Sequence, residues 1–201
     1  MSGVFAVVPV KDLQGTKSRL APVLDPAGRA GLTIYMMCRV ITALQDAELA
    51  KICVVSPDRL VLQKAGEKGV HTLLQESVGL NPALEEGRKW AVEGGACALL
   101  VLPADLPLIE AADIRAVVSA GGESPSGVIS PDTERAGTNA LMVGPPDGLP
   151  FAFGEDSFEA HQRAAREKDI PLAVVERTHL SFDLDTGRDL ARMRTMEGLK
   201  P

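Results

Sequence analysis

Short apolar runs alternate with segments of helical spacing along the first half of the chain, and this alternation is what most restricts the fold. The runs cover residues 4–10, 52–55, 70–74 and 98–102. Runs of this length with few polar residues are typical of strands that are buried on both faces of a sheet. Apolar residues recur every three or four positions between the runs, which indicates amphipathic helices. The order β-α-β-α-β-α-β predicts a parallel, doubly wound sheet.

The second half is less regular. Two short apolar runs flank the polar segment 131–138, which favours a hairpin with a long functional loop. The further predicted elements are a helix over 109–119, strands over 127–130 and 139–143, a helix over 157–167, a strand over 171–175 and a closing amphipathic helix after Thr186.

Charge, cysteine content and hydropathy exclude several classes of protein. The net charge of −6 argues against a nucleic-acid-binding surface. Cys38, Cys53 and Cys97 show no metal-ligand spacing and are odd in number, so we expect buried free thiols. No apolar run approaches the ~18 residues that span a bilayer, and no secretory leader is recognisable. We expect a cytoplasmic protein with one α/β domain over residues 1–201, and a homodimer is the assembly to test.

A cluster of cations follows the first predicted strand: Lys11, Lys17 and Arg19. The carboxyl ends of parallel strands form the ligand crevice of an open α/β sheet, and a following helix N-terminus favours phosphate. A local cationic loop in an acidic protein therefore indicates a small anionic ligand. A solvated basic loop is the alternative that the charges alone leave open.

Three aspartates are candidates for a magnesium site. Asp105 follows the predicted central strand between two prolines, and a carboxylate there would repel a phosphate unless a divalent cation lay between them. Asp183 and Asp185 are two residues apart, so both fall on one face of an extended segment. Asp105 could instead form a turn or a cap, and Thr186 with Asp189 could form a capping box.

Small residues and neutral donors near two chain reversals suit a second small anion. They are Thr138, Gly154 and Ser157, with His161 nearby. Each signal is weak by itself, because Ser157 could simply cap a helix and His161 could be a surface residue. Asn81, followed by proline, looks like the N-cap of the third helix.

Six motifs together resemble those of the phospholactate or phosphoenolpyruvate guanylyltransferases of coenzyme F420 biosynthesis. The resemblance runs in order from about Val4 to Leu190. The motifs are Pro9-Val10-Lys11 with residues 16–20, Gly79-Leu80-Asn81 with Ala83-Leu84, residues 104–107, residues 137–141, Phe153-Gly154 with Ser157 and His161, and residues 183–186 with Asp189-Leu190.

The resemblance implies a three-layer α/β/α fold with a Rossmann-like, mostly parallel sheet of the nucleotide-diphospho-sugar transferase type. The wider group of molybdenum-cofactor and sugar nucleotidyltransferases usually carries a glycine-rich loop after the first strand, whereas residues 11–17 here hold one glycine, as in the F420 branch. The implied reaction transfers GMP from GTP to phosphoenolpyruvate or 2-phospho-L-lactate and releases pyrophosphate. Three alternatives stay open: 3-phosphoglycerate as acceptor, another nucleotide with a sugar phosphate or molybdopterin, and a nucleotide-binding module without chemistry.

By the same resemblance, each candidate residue receives a role. Lys17 and Asp105 would be catalytic, and the implied cofactor is Mg²⁺. Lys11, Lys17 and Arg19 would contact the GTP phosphates, Gly79 and Asn81 would lie near guanosine, Asp105, Asp183 and Asp185 would hold magnesium, and Thr138, Gly154 and Ser157 would bind the phosphorylated acid.

Overall fold

The computed structural model describes residues 3–196, through which one seven-stranded sheet runs. Its strands in chain order are β1 (Val4–Pro9), β2 (Lys51–Ser56), β3 (His71–Leu74), β4 (Ala98–Val101), β5 (Ser126–Pro131), β6 (Thr138–Gly144) and β7 (Leu172–Val174).

The sheet has the order β3-β2-β1-β4-β6-β5-β7 and is mostly parallel, as predicted. Only β6 runs against its neighbours, because it is the second strand of a hairpin with β5. The hairpin itself confirms the prediction from the two apolar runs. A register irregularity between Ser130 and Pro131 ends the regular pairing near the tip of the hairpin.

Helices cover both faces of the sheet and so complete three layers. Residues of α1, α2 and α4 share one core cluster, whereas α3 and α5 pack on the opposite face. A smaller cluster joins α6 to the chain around Leu20. The helices are α1 (Pro26–Asp46), α2 (Arg59–Gly66), α3 (Leu80–Glu93), α4 (Ala111–Ala120), α5 (Ser157–Glu167) and α6 (Gly187–Met196).

The central strand β1 shows why the sheet needs cover on both sides. Ala6 and Val8 join the cluster on the α1 face, while Phe5 and Val7 join the cluster on the α3 face, because successive side chains alternate. The helix α3 approaches β1 so closely that a Cβ atom on Gly87 would lie 2.7 Å from Val7 Cγ1. The glycine therefore sets the distance between this helix and the sheet.

Two local predictions are wrong, and one alternative is excluded. Asn81 is not the N-cap of α3: the helix begins at Leu80 after Gly79, whose φ of 108° suits a residue without a side chain, so Asn81 lies inside the first turn. Cys97 is exposed rather than buried, although Cys53 is buried. His161, considered as a surface residue, is fully buried because it faces the sheet from α5. No helix within residues 3–196 is long and apolar enough to span a membrane.

Candidate active site

A cavity of about 820 Å³ opens at the carboxyl ends of β1, β2, β3 and β4. Pro9, Pro57, Gln75 and Val101 line it, each at or just beyond the end of one of these strands. The loop after β1 and the loop with Asp105 form further parts of the wall. The sequence-based expectation of a ligand crevice at this edge therefore agrees with the shape of the molecule.

The loop between β1 and α1 is fixed by hydrogen bonds from two helices. The Leu13 backbone N–H donates to the Asp58 carboxylate (3.1 Å), which also caps α2. Further along the loop, the Thr16 hydroxyl pairs with the buried Thr33 hydroxyl of α1 (3.1 Å). Lys17 follows in the left-handed conformation (φ 48°, ψ 44°), which is uncommon for a residue with a side chain and turns the chain into a short 3₁₀ helix.

Lys17 connects the predicted phosphate-binding cations to the predicted magnesium ligands. Its ammonium group donates to Asp105 Oδ2 (2.8 Å) and to Asp185 Oδ1 (2.6 Å), and only 9% of the side chain is exposed. The chain therefore brings a residue after β1, a residue after β4 and a residue before α6 into one cluster. Burial by itself would lower the pKa of Lys17, but the charges of Asp105 and Asp185 raise it above its ordinary value.

Asp183 lies close enough to Asp105 and Asp185 for their negative charges to affect its pKa. Burial, together with the negative charges of Asp105 and Asp185, raises the pKa of Asp183 to about 6. The side-chain amide of Asn139 opposes this shift through a hydrogen bond to Asp183, and it also donates to the Leu180 carbonyl (3.1 Å). Asp183 therefore lies in a buried site beside two further carboxylates.

The segment with Asp183 and Asp185 is held at both ends. The Leu184 backbone N–H donates to the Asp105 carbonyl (3.0 Å), which ties the segment to the end of β4. On the other side, the Asp189 carboxylate accepts from the Thr186 backbone N–H (2.7 Å), and Thr186 Oγ1 accepts from the Asp189 N–H (3.3 Å). This reciprocal pair confirms the predicted capping box and leaves the Asp185 carboxylate available for Lys17.

The donor set fits a hard divalent cation in its chemistry. Asp105, Asp183 and Asp185 offer only carboxylate oxygens, the ligands that Mg²⁺ prefers, and burial together with the two neighbouring carboxylates raises the pKa of Asp183. Within residues 3–196, no three metal-ligating side chains are arranged as a preformed metal cluster. The Lys17 ammonium instead bridges two of the three carboxylates. The magnesium assignment therefore stays a prediction.

Most of the predicted nucleotide-binding residues line the cavity. Lys11, Lys17, Arg19 and Gly79 belong to its wall, and a guanidinium nitrogen of Arg19 lies 3.9 Å from an Asp185 carboxylate oxygen. The structure places Asn81 elsewhere: its side-chain amide binds the Phe153 backbone.

Val78, in the loop between β3 and α3, lines the cavity and was not predicted from the sequence, although Gly79 in the same loop was. The Glu86 carboxylate accepts from the Ser77 backbone N–H (2.8 Å), and the Gln75 side chain donates to the Ser77 carbonyl (2.6 Å). This rigid loop holds Val78 at the cavity wall with 96% of its surface exposed. An apolar residue inside a short polar loop was the feature of the sequence that could have indicated this exposed position.

The predicted acceptor residues gather beside the cavity rather than in its wall. Thr138 is the first residue of β6, and since β6 is antiparallel, this end lies at the carboxyl edge of β4. Its hydroxyl lies 3.1 Å from His161 Nδ1. Ser157, buried, is the first residue of α5, and the exposed Gly154 (φ 140°) precedes it and follows Phe153, which does line the cavity.

The role of Asp132 is structural. Its two carboxylate oxygens accept from the Ala136 (2.9 Å) and Gly137 (2.8 Å) backbone N–H groups and so close the tip of the β5–β6 hairpin. A Cβ atom on Gly137 would lie 2.7 Å from Asp132 Oδ2, so the turn requires glycine there. Asp132 thereby fixes the backbone that leads into Thr138 at the start of β6.

The fold is that of the nucleotide-diphospho-sugar transferases. The structure of a putative nucleotide-diphospho-sugar transferase from Desulfovibrio desulfuricans superposes with a TM-score of 0.78 over 98% of this chain and 88% of that chain, at 15% sequence identity. The sheet with one antiparallel strand, the helices on both of its faces and the cavity at the carboxyl edge agree with this class.

The chain belongs to the guanylyl transferase CofC-like family, whose model matches residues 4–198. It is 55% identical to the phosphoenolpyruvate guanylyltransferase of Rubrobacter xylanophilus over 98% of this chain and 96% of that protein. The protein of the same name from Sphaerobacter thermophilus is 43% identical over 94% and 91%. A 3-phospho-D-glycerate guanylyltransferase from Colwellia psychrerythraea is 31% identical over 92% and 88%. The family predicted from the six motifs is thus confirmed, and with it the activity class of a nucleotidyltransferase.

Proposed function

We propose that this enzyme transfers GMP from GTP to phosphoenolpyruvate and releases pyrophosphate, as a step of coenzyme F420 biosynthesis. The observation that carries the proposal is the convergence of Lys17, Asp105 and Asp185 on a cavity large enough for a nucleotide. The names of the two relatives with 55% and 43% identity support phosphoenolpyruvate over other acceptors.

The chemistry requires charge neutralisation and alignment more than proton transfer. An oxygen of the acceptor phosphate attacks the α-phosphorus of GTP, and the bond from this phosphorus to the bridging oxygen of pyrophosphate breaks. The phosphate nucleophile is already anionic at pH 7, so no general base is needed. His161 is not placed to act as one, because it is fully buried and hydrogen-bonded through both nitrogens.

The cations at the cavity have separate tasks in this reaction. Lys17 stabilises the negative charge of the triphosphate, and the exposed Lys11 and Arg19 attract and hold the leaving pyrophosphate. Lys17 can serve the phosphates only after it loosens its contacts with Asp105 and Asp185, so substrate binding exchanges its partners.

Asp105, Asp183 and Asp185 would hold the magnesium ion. Bound there, Mg²⁺ supplies charge neutralisation between the two anionic substrates and stabilises the charge that develops at the α-phosphate. The carboxylates are positioned for this by the Asp105–Leu184 backbone bond, the Asn139 amide and the capping box at α6.

A second acceptor is favoured by one observation. The relative from Colwellia psychrerythraea is named for 3-phospho-D-glycerate and is similar over most of both chains. Phosphoenolpyruvate and 2-phospho-L-lactate differ by a double bond, whereas 3-phosphoglycerate carries its phosphate on C3 and a free hydroxyl on C2. A pocket discriminates small differences of this kind by about 1–3 kcal/mol. The lower identity makes 3-phosphoglycerate the second candidate.

A competition experiment tests the function. The purified protein is incubated with GTP, Mg²⁺ and the three phosphorylated acids together, and products are identified by mass. We expect the GMP adduct of phosphoenolpyruvate as the main product. A dominant adduct of another acid would reassign the acceptor, better turnover with CTP or UTP would reassign the nucleotide, and GTP binding without any product would indicate a module that has lost its chemistry.

The variant Asp105→Ala tests the magnesium assignment through its effect on turnover. We expect a fall in turnover of about 10²–10³ because the variant loses a charge that organises the site. Asp105 lies in a loop and is partly exposed, so circular dichroism and the unfolding midpoint should stay near those of the wild type. Turnover near the wild-type rate in a folded variant would contradict the metal assignment.

A further inference from the structure

One short segment separates the cavity from the predicted acceptor residues. Residues 151–154, which we call the acceptor loop, run between the first turn of α3 and the helix α5. Phe153 in this loop lines the cavity, and Gly154 next to it is one of the predicted acceptor residues. The backbone of the loop is held by side chains from both helices.

Asn81 holds the loop from the side of α3. Its Nδ2 donates to the Phe153 carbonyl (3.0 Å), and its Oδ1 accepts from the Phe153 backbone N–H (2.9 Å). The amide thus pairs with both backbone groups of one residue, as a neighbouring strand would. Because Asn81 is not among the residues that line the cavity and its amide binds the Phe153 backbone, Asn81 sets the position of Phe153 rather than contacting the base.

His161 holds the loop from the side of α5. Its Nε2 lies 3.0 Å from the Ala152 backbone nitrogen, which can only donate, so Nε2 is the unprotonated nitrogen and Nδ1 carries the proton. Nδ1 lies 3.1 Å from the Thr138 hydroxyl. The ring also meets the edge of Phe153, with 4.8 Å between centroids. One imidazole therefore connects the acceptor loop to the first residue of β6.

The imidazole is suited to a fixed, neutral role. Its side chain is fully buried, and burial lowers its pKa to about 4, which a hydrogen bond with the Ser157 backbone offsets only in part. The Thr138 hydroxyl accepts from Nδ1–H and keeps its own hydrogen for donation to an anion. Among the described residues, no hydrogen bond engages the Gly154 backbone N–H, so this group too is available.

We propose that Asn81 and His161 are positioning residues that fix the acceptor loop and Thr138 for the phosphorylated acid. The proposal rests on the proposed function, since it assumes that this side of the site binds the acceptor. Neither side chain touches substrate. Asn81 connects the helix beside the nucleotide cavity to the acceptor loop, so a change at Asn81 acts on the acceptor even though it lies next to Gly79 and Leu80 in the cavity wall.

The test separates a positioning role from a direct contact with guanosine. Asn81→Asp keeps the shape and one hydrogen bond but places a carboxylate oxygen against the Phe153 carbonyl, and Asn81→Leu removes both bonds. His161→Gln retains an oxygen that can reach the Ala152 N–H but loses the link to Thr138. Gln45→Leu is the matched control, because Gln45 also ties a backbone carbonyl, that of Lys68 (2.8 Å), far from the site.

We expect KM for phosphoenolpyruvate to rise about tenfold in both Asn81 variants, because the acceptor depends on the whole loop. KM for GTP should rise by no more than about threefold, because Phe153 is the part of this loop that lines the nucleotide cavity. His161→Gln should show a smaller rise in the same parameter, and Gln45→Leu none. Circular dichroism and unfolding midpoints accompany every variant.

Two results would overturn the inference. A rise in KM for GTP with an unchanged KM for phosphoenolpyruvate would assign Asn81 to guanosine. Unchanged kinetics with a lowered unfolding midpoint would reduce both residues to structural support. In both cases the wild type still converts its acceptor, so the proposed function stands. A wild type that converts none of the three acids would overturn the proposed function and, with it, this inference.

Discussion

At the scale of single residues, Lys17 is the side chain with the most constrained surroundings. It takes a left-handed backbone conformation, is almost buried, and contacts two carboxylates within 2.8 Å. The ammonium therefore compensates charge that a divalent cation would otherwise compensate. In the proposed function, metal and lysine would compete for Asp105 and Asp185 until a triphosphate offered the lysine another partner.

This competition predicts the metal affinity of a variant. Lys17→Met should bind Mn²⁺ in the absence of nucleotide at least about tenfold more tightly than the wild type, a difference of ~1.4 kcal/mol. The reason is that Asp105, Asp183 and Asp185 lose their nearest cation. Electron paramagnetic resonance of free Mn²⁺ measures the affinity directly. Arg19→Met is the control, because Arg19 is exposed and 3.9 Å from Asp185, and its affinity should change little.

His161 leads to a prediction about pH and stability. Its pKa is lowered to about 4 in the fold from an ordinary value near 6.5, so the neutral form stabilises the native state fully above pH 6.5. This stabilisation is lost as the pH falls from about 6.5 to about 4, because the unfolded chain takes up the proton first. The difference corresponds to roughly 3 kcal/mol.

Denaturant unfolding at several pH values checks the histidine prediction. The wild type should lose more free energy of unfolding between pH 7 and pH 4 than His161→Gln, which has no imidazole to protonate. His71→Gln serves as the control, because His71 is an exposed histidine at the sheet edge, and it should follow the wild type. Equal slopes for the wild type and His161→Gln would contradict the assignment of a neutral, buried ring.

At the scale of elements, the contact between α3 and β1 controls where the wall of the cavity lies. A Cβ atom on Gly87 would meet both methyl groups of Val7, at 2.7 and 2.9 Å. A branched side chain on a central strand has little room to move, so the helix would have to shift. The first turn of α3 carries Leu80 and Asn81, and such a shift would reach the site.

Gly87→Ala should therefore lower the free energy of unfolding by about 1–3 kcal/mol, despite the higher helix propensity of alanine. Gly31→Ala in α1 is the matched control: a Cβ atom there meets nothing within 4 Å, so that variant should be unchanged or more stable by up to about 1 kcal/mol. Urea unfolding measures both. A stabilised Gly87→Ala would show that α3 adjusts to the strand without cost.

At the scale of the whole molecule, a protein of net charge −6 carries a local group of cations at one cavity. Lys11 and Arg19 are exposed there, so solvent and salt screen their attraction for a triphosphate. In the proposed function they would therefore act through long-range attraction as well as by holding pyrophosphate.

Removal of one exposed cation should have a modest effect that depends on salt. Lys11→Ala should raise KM for GTP about two- to fivefold at 0.05 M salt and less at 0.5 M, because exposed charge pairs are worth about 0.2–1 kcal/mol. Steady-state kinetics at the two salt concentrations measure this. Lys89→Ala removes an equally exposed lysine on the outer face of α3 and should leave KM unchanged. An effect of Lys11→Ala that persists at high salt would indicate a direct, desolvated contact.

The sequence predicted the sheet, its hairpin and the layers, and it placed Lys17 and Asp105 in one crevice, because both follow strands whose carboxyl ends lie at the same sheet edge. It did not predict the ion pair between them. It did not predict the partners of single polar groups. Asn81 looked like a cap because proline follows it, but Gly79 with a positive φ starts the helix and releases the amide for Phe153. Whether His161 is buried depends on the rotation of α5 against β6. Phe158 and Ala165, three residues before and four residues after it, lie on the same face of the helix and were the available signal.

The single reversed strand has a consequence for how substrate preference can change. Because β6 enters the sheet from the cavity edge, its tip with β5 and the acceptor loop lie on one half of the molecule, while the strand ends that line the nucleotide cavity belong to the other half. If the proposed acceptor residues are correct, substitutions in the hairpin should change the preferred phosphorylated acid and leave GTP binding intact. The two relatives named for different acids are similar to this chain over most of their length, which agrees with such a division.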